Sequence, residues 1–277
     1  MTRAARQPKP GDQSVWTKAL ALGPGRKRYC KRDSLSREEP LEIRVRGRSV
    51  AVTMRTPGDD RELAAGFLLT EGIIHRRADV AEIGNCLTAD EPENTLNVFL
   101  APSVKVNFKR LARNVFATSS CGICGKASIE SVHQNFPPVT PTFSLSAKVL
   151  VMLPDKMRAA QRTFARTGGL HAAALFDQSG RLVVLREDIG RHNAVDKVLG
   201  HAFLERKTPL DSHILLVSGR ASFEIMQKAL AARVQVVAAI SAPSSLAVEF
   251  AKESGQVLVG FLRGKTMNVY TGFDRVK

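Results

Sequence analysis

The chain has 277 residues, 44% hydrophobic and 24% charged, which suits a soluble globular protein with one large domain or two small ones. Its 41 Lys+Arg against 26 Asp+Glu give a formal charge of +15, so an anionic partner is expected: nucleic acid, an anionic membrane or a multiply phosphorylated ligand. No apolar stretch follows the first basic residues and no run of about 18 apolar residues occurs, which argues against a standard export signal and a membrane span. Four cysteines, at 30, 86, 121 and 124, are too few and too irregular for a secreted disulfide framework, and a reducing cytoplasm is the expected compartment.

Residues 1–48 hold 13 Lys+Arg against 5 Asp+Glu, together with Pro8, Pro10, Gly11, Gly23, Pro24 and Gly25, and this composition predicts a disordered tail over residues 1–36. From there to about residue 115 the pattern predicts a small α+β unit. LEIRVR (41–46) and SVAVTM (49–54) alternate as a hairpin, a helix is expected over 59–70 between the start signal Asp59-x-x-Glu62 and Gly72, and NTLNVFL (94–100) and VKVNF (104–108) read as strands. Residues 116–144 carry the Cys121-Gly-Ile-Cys124 pair and then Pro137, Pro138 and Pro141, the composition of a flexible loop or linker between two units.

Residues 145–277 predict the second unit. A helical region over 146–166 ends at Gly168-Gly169, and a hairpin follows on either side of Gln178-Ser179-Gly180. Helices and strands then alternate: helix 193–206, strand 213–218, helix 222–232, strand 234–240, helix 244–253 and strands 256–262 and 267–271. HILLVS, VQVVAAI and QVLVGFL are continuous apolar runs between helices, the signature of a largely parallel sheet buried on both faces. Ligands of such sheets bind beyond the carboxyl ends of the strands. The loops expected there are Glu187–Asn193, with Arg191 and His192, Ser218–Ser222, with Arg220, and Ser241–Ser245. Two arginines and three helix starts make an anion-binding rim, unless Asn193, Ser222 and Ser244 merely cap their helices.

Gly260-Phe-Leu-Arg-Gly-Lys-Thr266 fails as a phosphate-binding Walker A loop, because three residues rather than four separate its glycines and a strand follows it. It can still be a turn that brings backbone N–H, Arg263 and Lys265 to a phosphate, or simply a solvated basic turn. Cys121 and Cys124 supply two zinc ligands where a site needs three or four, and the His-x-Glu that precedes the cysteines of a zinc deaminase is missing. Sulfur transfer, disulfide exchange and a metal-binding or structural role remain open for a thiol pair near Arg110, Arg113 and Lys126. Cys30 and Cys86 read as bystanders, while His171 and His192 admit both structural and functional roles.

SSCGICGKASIE, RTGGLHAAALF, REDIGRHNAVDKVLG, SGRASFEIMQKAL, ISAPSSLAVEFA and VGFLRGKTMNVYTG together, over residues 37–272, resemble the FdhD family of formate dehydrogenase accessory sulfurtransferases. The resemblance implies a cytidine-deaminase-like three-layer α/β/α core, a homodimer, and no resident metal. It implies a sulfurtransferase in which Cys121 carries the persulfide and Cys124 assists. Sulfur would come from a cysteine desulfurase and pass to bis-molybdopterin guanine dinucleotide, the molybdenum cofactor, before that cofactor enters the apo formate dehydrogenase; a free guanine nucleotide would mimic it. The family's cofactor stretch falls on Phe261, Leu262, Arg263, Gly264, Lys265 and Thr266, and the rim adds Ser218 and Arg220 as expected contacts. No nucleic acid or membrane is then needed to explain the charge. A cofactor chaperone without sulfur chemistry and a disulfide-exchange protein are the alternatives.

Overall fold

The structure is a computed structural model that describes residues 11–23, 28–108, 132–133, 135–140 and 142–277. The Cys121 and Cys124 positions lie outside the described residues.

The chain begins with an antiparallel ribbon, β1 (Ser14–Ala21) and β2 (Tyr29–Ser36). This corrects the expectation of disorder through residue 36. Prolines, glycines and charge dominate the average composition, but they flank two stretches that pair residue for residue, with Arg32 stacked 5.1 Å over Trp16. The ribbon is tied to the body by Thr163, whose hydroxyl donates to Gln13 Oε1 at 2.6 Å, and by Ser36, which donates to Thr167 at 2.8 Å.

A four-stranded sheet follows, ordered β4 (Arg48–Arg55), β3 (Glu39–Val45), β6 (Thr95–Leu100), β5 (Val80–Asn85), with α1 (Asp60–Thr70) between β4 and β5. The predicted hairpin is β3–β4, turning at Arg46 and Gly47, both at positive φ. β5 escaped prediction because VAEIGN alternates weakly. VKVNF forms no strand; Val104, Val106 and Phe108 instead pack irregularly against the core. Asp59 precedes α1, but the predicted capping box is not made. Glu62 instead holds Arg186, at 2.6 and 2.8 Å, and His201, at 2.9 Å, across the interface to the second unit.

The six-stranded sheet runs β12 (Thr266–Thr271), β11 (Val257–Arg263), β10 (Val236–Ala239), β9 (His213–Val217), β7 (His171–Asp177), β8 (Leu182–Asp188). It is mixed rather than largely parallel. Only β9, β10 and β11 are parallel neighbours, while the two hairpins put β7 and β12 antiparallel beside them. Alternate residues of the apolar runs face opposite layers. Ala173, Leu175, Leu215, Val217 and Val237 face α5 (Arg191–Leu204), α6 (Phe223–Ala231) and α7 (Ser245–Ser254). Ala172, Ala174, Phe176, Ile214 and Leu216 face the short helices α2 (Ala147–Leu150) and α3 (Leu153–Ala160), with α4 (Arg162–Thr167) next in the chain. Burial on both faces is why these strands show no hydrophobic alternation.

The two units share a continuous core. Leu41, Ile43, Val45 and the inner face of α1 pack with α5 and the main sheet. α1 and α5 approach so closely that a Cβ on Gly66 would lie 1.9 Å from the Asp196 carbonyl oxygen, and one on Gly200 would lie 1.9 Å from that of Glu62. Two glycines placed for backbone contact explain how a polar-faced helix is buried here.

Candidate functional site: a polar rim at the sheet edge

β8, β9, β10 and β11 all end at one edge, and α5, α6 and α7 start there, with β7 entering at His171. The N-terminal ends of three helices therefore point towards one region. The loops are locked together. Ala221 pairs with Pro243, Ser244 N–H donates to the Ala221 carbonyl at 3.0 Å, and Phe261 N–H donates to the Ser241 carbonyl at 3.0 Å. Gly260 is required under Pro243 and Tyr270, since a Cβ would lie 2.8 Å from Pro243 Cδ and 3.0 Å from the tyrosine ring.

Of the three suspected caps, only Ser244 behaves as one, its Oγ accepting from Ala247 N–H at 3.2 Å. Asn193 lies inside α5, which Gly190 opens, and reaches across to the small sheet: its amide donates to the Met54 carbonyl at 2.8 Å and to Asp188 Oδ1 at 3.1 Å. Asp188 is fully buried and paired with Lys197, itself fully buried, at 2.8 Å. Its carboxylate also accepts from Thr56 N–H at 3.1 Å and Gly190 N–H at 2.8 Å. Glu187 accepts the N–H groups of Thr163 and Phe164 at 2.9 and 2.7 Å, closing the start of α4. The acidic half of Glu187–Asn193 is therefore scaffold, and Arg191 and His192 are left for the rim.

Those two residues and Ser222 hold the rim's unmet hydrogen-bonding capacity. Arg191 Nε, His192 Nε2 and Ser222 Oγ are buried atoms without a well-formed hydrogen bond. Glu224, absent from the sequence expectations, stands 4.0 Å from His192 Nε2. Its only signal was its place in the first turn of α6, which ordinarily reads as a complement to the helix dipole. Burial pushes the Glu224 carboxyl up, but nearby Ser222, its own backbone N–H, His192 when protonated, and the Arg191 charge outweigh that and hold it below its ordinary value. Burial, with Arg191 and Lys228 adding to it, brings His192 down to about 4 despite the opposing Glu224 charge. His171 is lowered by burial and then by Arg191, with Asp188 opposing. Both imidazoles are therefore neutral near pH 7, able to offer one N–H and one lone pair each. Gly219 lies against His171, where a Cβ would come 3.4 Å from Nδ1.

The remaining expected contacts divide. Arg220 is exposed beside Gly219. Ser218 is committed to the β7–β9 seam, its Oγ accepting from Ala172 N–H at 2.9 Å and its own N–H donating to the Ala172 carbonyl at 2.9 Å. Leu262 is buried in the core beneath the sheet. Phe261, at φ 50°, lies under the Arg263 guanidinium, 5.4 Å from the ring centre. Arg263, Gly264, Lys265 and Thr266 are exposed, with Gly264 at φ 57° in the β11–β12 turn and Thr266 Oγ1 donating to the Arg263 carbonyl at 3.2 Å. This rim offers cations, neutral imidazoles and helix starts to an anion from four loops.

The described flanks of the cysteine segment lie at the other end of the molecule. Phe108 sits under Arg48 at the β3–β4 turn, and Phe136 packs on Gly72 beyond α1. Val139 N–H donates to the Ser254 carbonyl, in the last turn of α7, at 2.8 Å.

The family model described as the FdhD/NarQ family matches residues 36–277. The chain belongs to the FdhD/NarQ family. It is 55% identical over 251 residues to the sulfur carrier protein FdhD of Streptomyces coelicolor, covering 88% of this chain and 89% of that protein. The protein of the same name in Mycobacterium tuberculosis is 54% identical over 253 residues, covering 88% and 92%. That of Saccharolobus solfataricus is 41% identical over 251 residues, covering 90% and 93%. A solved structure from Desulfotalea psychrophila, assigned as a formate dehydrogenase accessory protein, shares the fold with a TM-score of 0.77 at 26% identity, over 96% of this chain and all of that one. The six-stranded sheet is thus part of a fold shared with that protein.

Proposed function

We propose that the protein is a sulfur carrier for the maturation of a formate dehydrogenase, and that Cys121 bears the sulfur as a persulfide. The observation that carries this reading is the relationship itself: a relative 55% identical over 88% of the chain is named a sulfur carrier protein. The finer steps follow from chemistry. A thiolate at Cys121 attacks the outer sulfur of a desulfurase persulfide; the donor's S–S bond breaks as the new one forms, and the donor leaves as a thiolate, with no net electrons consumed. Release as hydrosulfide needs two electrons, which Cys124 supplies by attacking the inner sulfur and closing a disulfide with Cys121.

The acceptor is bis-molybdopterin guanine dinucleotide, the substrate of this chain rather than a resident group. The rim suits its phosphates. Arg191 Nε and His192 Nε2 are buried without a hydrogen bond, so an oxyanion there would meet existing needs, while Arg220, Arg263 and Lys265 add charge at the mouth. Gly264 leaves the turn backbone open to the ligand. Ser218 and Leu262 support it from below, and Phe261 props Arg263. Neutral His171 and His192 bind without adding charge of their own. The same reading makes the protein a cytoplasmic homodimer that meets a cysteine desulfurase on one side of its cycle and an apo formate dehydrogenase on the other.

The test is intact-mass measurement after incubation with a desulfurase and cysteine. One added sulfur atom, lost in Cys121→Ala and removed by reductant, is the expected result. No added sulfur, together with full formate dehydrogenase activity in cells carrying only the Cys121→Ala protein, would leave a cofactor chaperone as the function.

A further inference from the structure

A cavity of about 670 Å³ opens beyond the C-terminal ends of α1, α5 and α6. Arg206 on its lining follows the C-terminal end of α5, whose 14 residues put that end about 20 Å along the helix from its rim end. Four arginines line it, Arg76, Arg77, Arg206 and Arg233, with His75, and no Asp or Glu is among its lining residues. Among the described residues one of the four, Arg76, has an ion pair, with Asp79 at 3.6 Å. Three helix C-termini carry roughly half a negative charge each. That offsets less than half of four guanidinium charges, so capping alone does not account for them.

The cavity is poorly built for a compact phosphate. The one helix among the described residues that starts at its lining is a three-residue 3-10 turn, Arg77–Asp79, and the His75 and Arg76 N–H groups before it are already taken by Asp79 Oδ2 at 2.8 and 2.9 Å. The positive groups are instead spread over three chain segments around apolar surface that includes Leu69 and Pro209. Spaced cations over an apolar floor match an extended chain with spaced carboxylates and an apolar side chain between them.

Its position gives such a ligand a purpose. Arg233 donates to the carbonyls of Pro137 and of Pro138, the latter at 3.3 Å, on the chain returning from Cys124. On the other flank, Val80 lines the cavity and pairs with Leu100, and the chain that continues from Leu100 to Phe108 is held by Arg46, which donates to the Val104 carbonyl at 2.8 Å. Both described anchors of the cysteine segment therefore converge on this end.

We propose that the cavity is a docking site for an acidic segment of a partner protein, held beside the two anchors of the cysteine segment. That this partner is the sulfur donor rests on the sulfur-carrier reading; the binding site itself does not.

The probe is a fluorescein-labelled dodecapeptide of alternating Glu and Asp with two leucines, titrated with the full chain and read by anisotropy at 0.1 M salt. Arg76→Glu with Arg206→Glu, both exposed positions, is expected to weaken binding at least about tenfold. The charge-matched variant Lys18→Glu with Lys148→Glu, also exposed and far from the cavity in sequence, is expected to stay within about twofold. A peptide with Gln and Asn in place of the acids should not bind. Equal loss in both double variants means diffuse attraction to a basic protein and overturns the site, as does equal binding of the neutral peptide. Stoichiometric displacement by pyrophosphate overturns the peptide as occupant. Circular dichroism melts matching the unsubstituted protein show that a lost signal is not lost folding. Persulfide loading, measured separately, reports on the sulfur chemistry whatever the peptide does.

Discussion

Lys197→Met tests whether the buried Asp188–Lys197 pair holds the rim's scaffold. Both side chains are fully buried, and Lys197 Nζ donates to Asp188 at 2.8 Å and to the Thr56 carbonyl at 2.8 Å. Methionine keeps the stem but leaves a carboxylate without its cation. Asp188 retains three donors, from Thr56, Gly190 and Asn193, so the charge is stranded but not bare. Breaking a buried pair on one side costs about 3–5 kcal/mol, which for a chain of this size lowers the melting temperature by about 6–20 °C. Melting followed by circular dichroism at pH 7 measures it. Adding Asp188→Asn removes the stranded charge, so the double variant should melt above the single one even though it has lost more of the native contacts. A single variant within about 1 kcal/mol of the unsubstituted protein, or a double variant that melts lower than the single, would mean that the buried pair does not hold the scaffold.

Three further outcomes follow from the same geometry. His192 lies at about 4 because it is buried beside Arg191 and Lys228, so its folded value is below the ordinary 6.5; the unfolded chain takes up the proton first, and the stability tied to the neutral ring is complete above pH 6.5 and lost as pH falls towards 4. Its ring resonances in an NMR titration should turn over below pH 5, and a midpoint above 6 contradicts the assignment. Gly66→Ala drives a methyl into the Asp196 carbonyl and should reduce stability by about 1–3 kcal/mol or more, seen as a lower urea midpoint with α1 and α5 forced apart; an unchanged midpoint would mean that the helices have room to spare. Arg263→Ala with Lys265→Ala should weaken guanine nucleotide binding about tenfold or more in calorimetry while leaving the melt unchanged, whereas Ser218→Ala should lower stability by about 1 kcal/mol through the β7–β9 seam and change binding less. The reverse ordering would place the ligand deeper in the rim than the turn.

The sequence alone determined a good deal. Continuous apolar runs between helices fixed the order of the second unit to within a residue or two, because strands buried on both faces leave an unbroken local signal. Hairpins announced themselves through Gly47 and Gly180, both at positive φ. Cys121 and Cys124 stood out by spacing, and the helix-start loops by their polarity. The ribbon at residues 14–36 was hidden because a tail's mean composition says nothing about whether two of its stretches find each other in register. Only the tertiary structure could separate scaffold from site within one motif. Glu187, Asp188 and Asn193 look as ligand-ready as Arg191 and His192, and what divides them is Thr163, Thr56 and Met54, residues up to about 140 positions away that take up their hydrogen bonds. The same holds for Glu224, which becomes part of the rim only because α6 starts beside α5, and for the four arginines from three distant segments that meet at the opposite end. Hydrogen-bond satisfaction and charge balance are properties of neighbours in space, and the chain's order does not contain them.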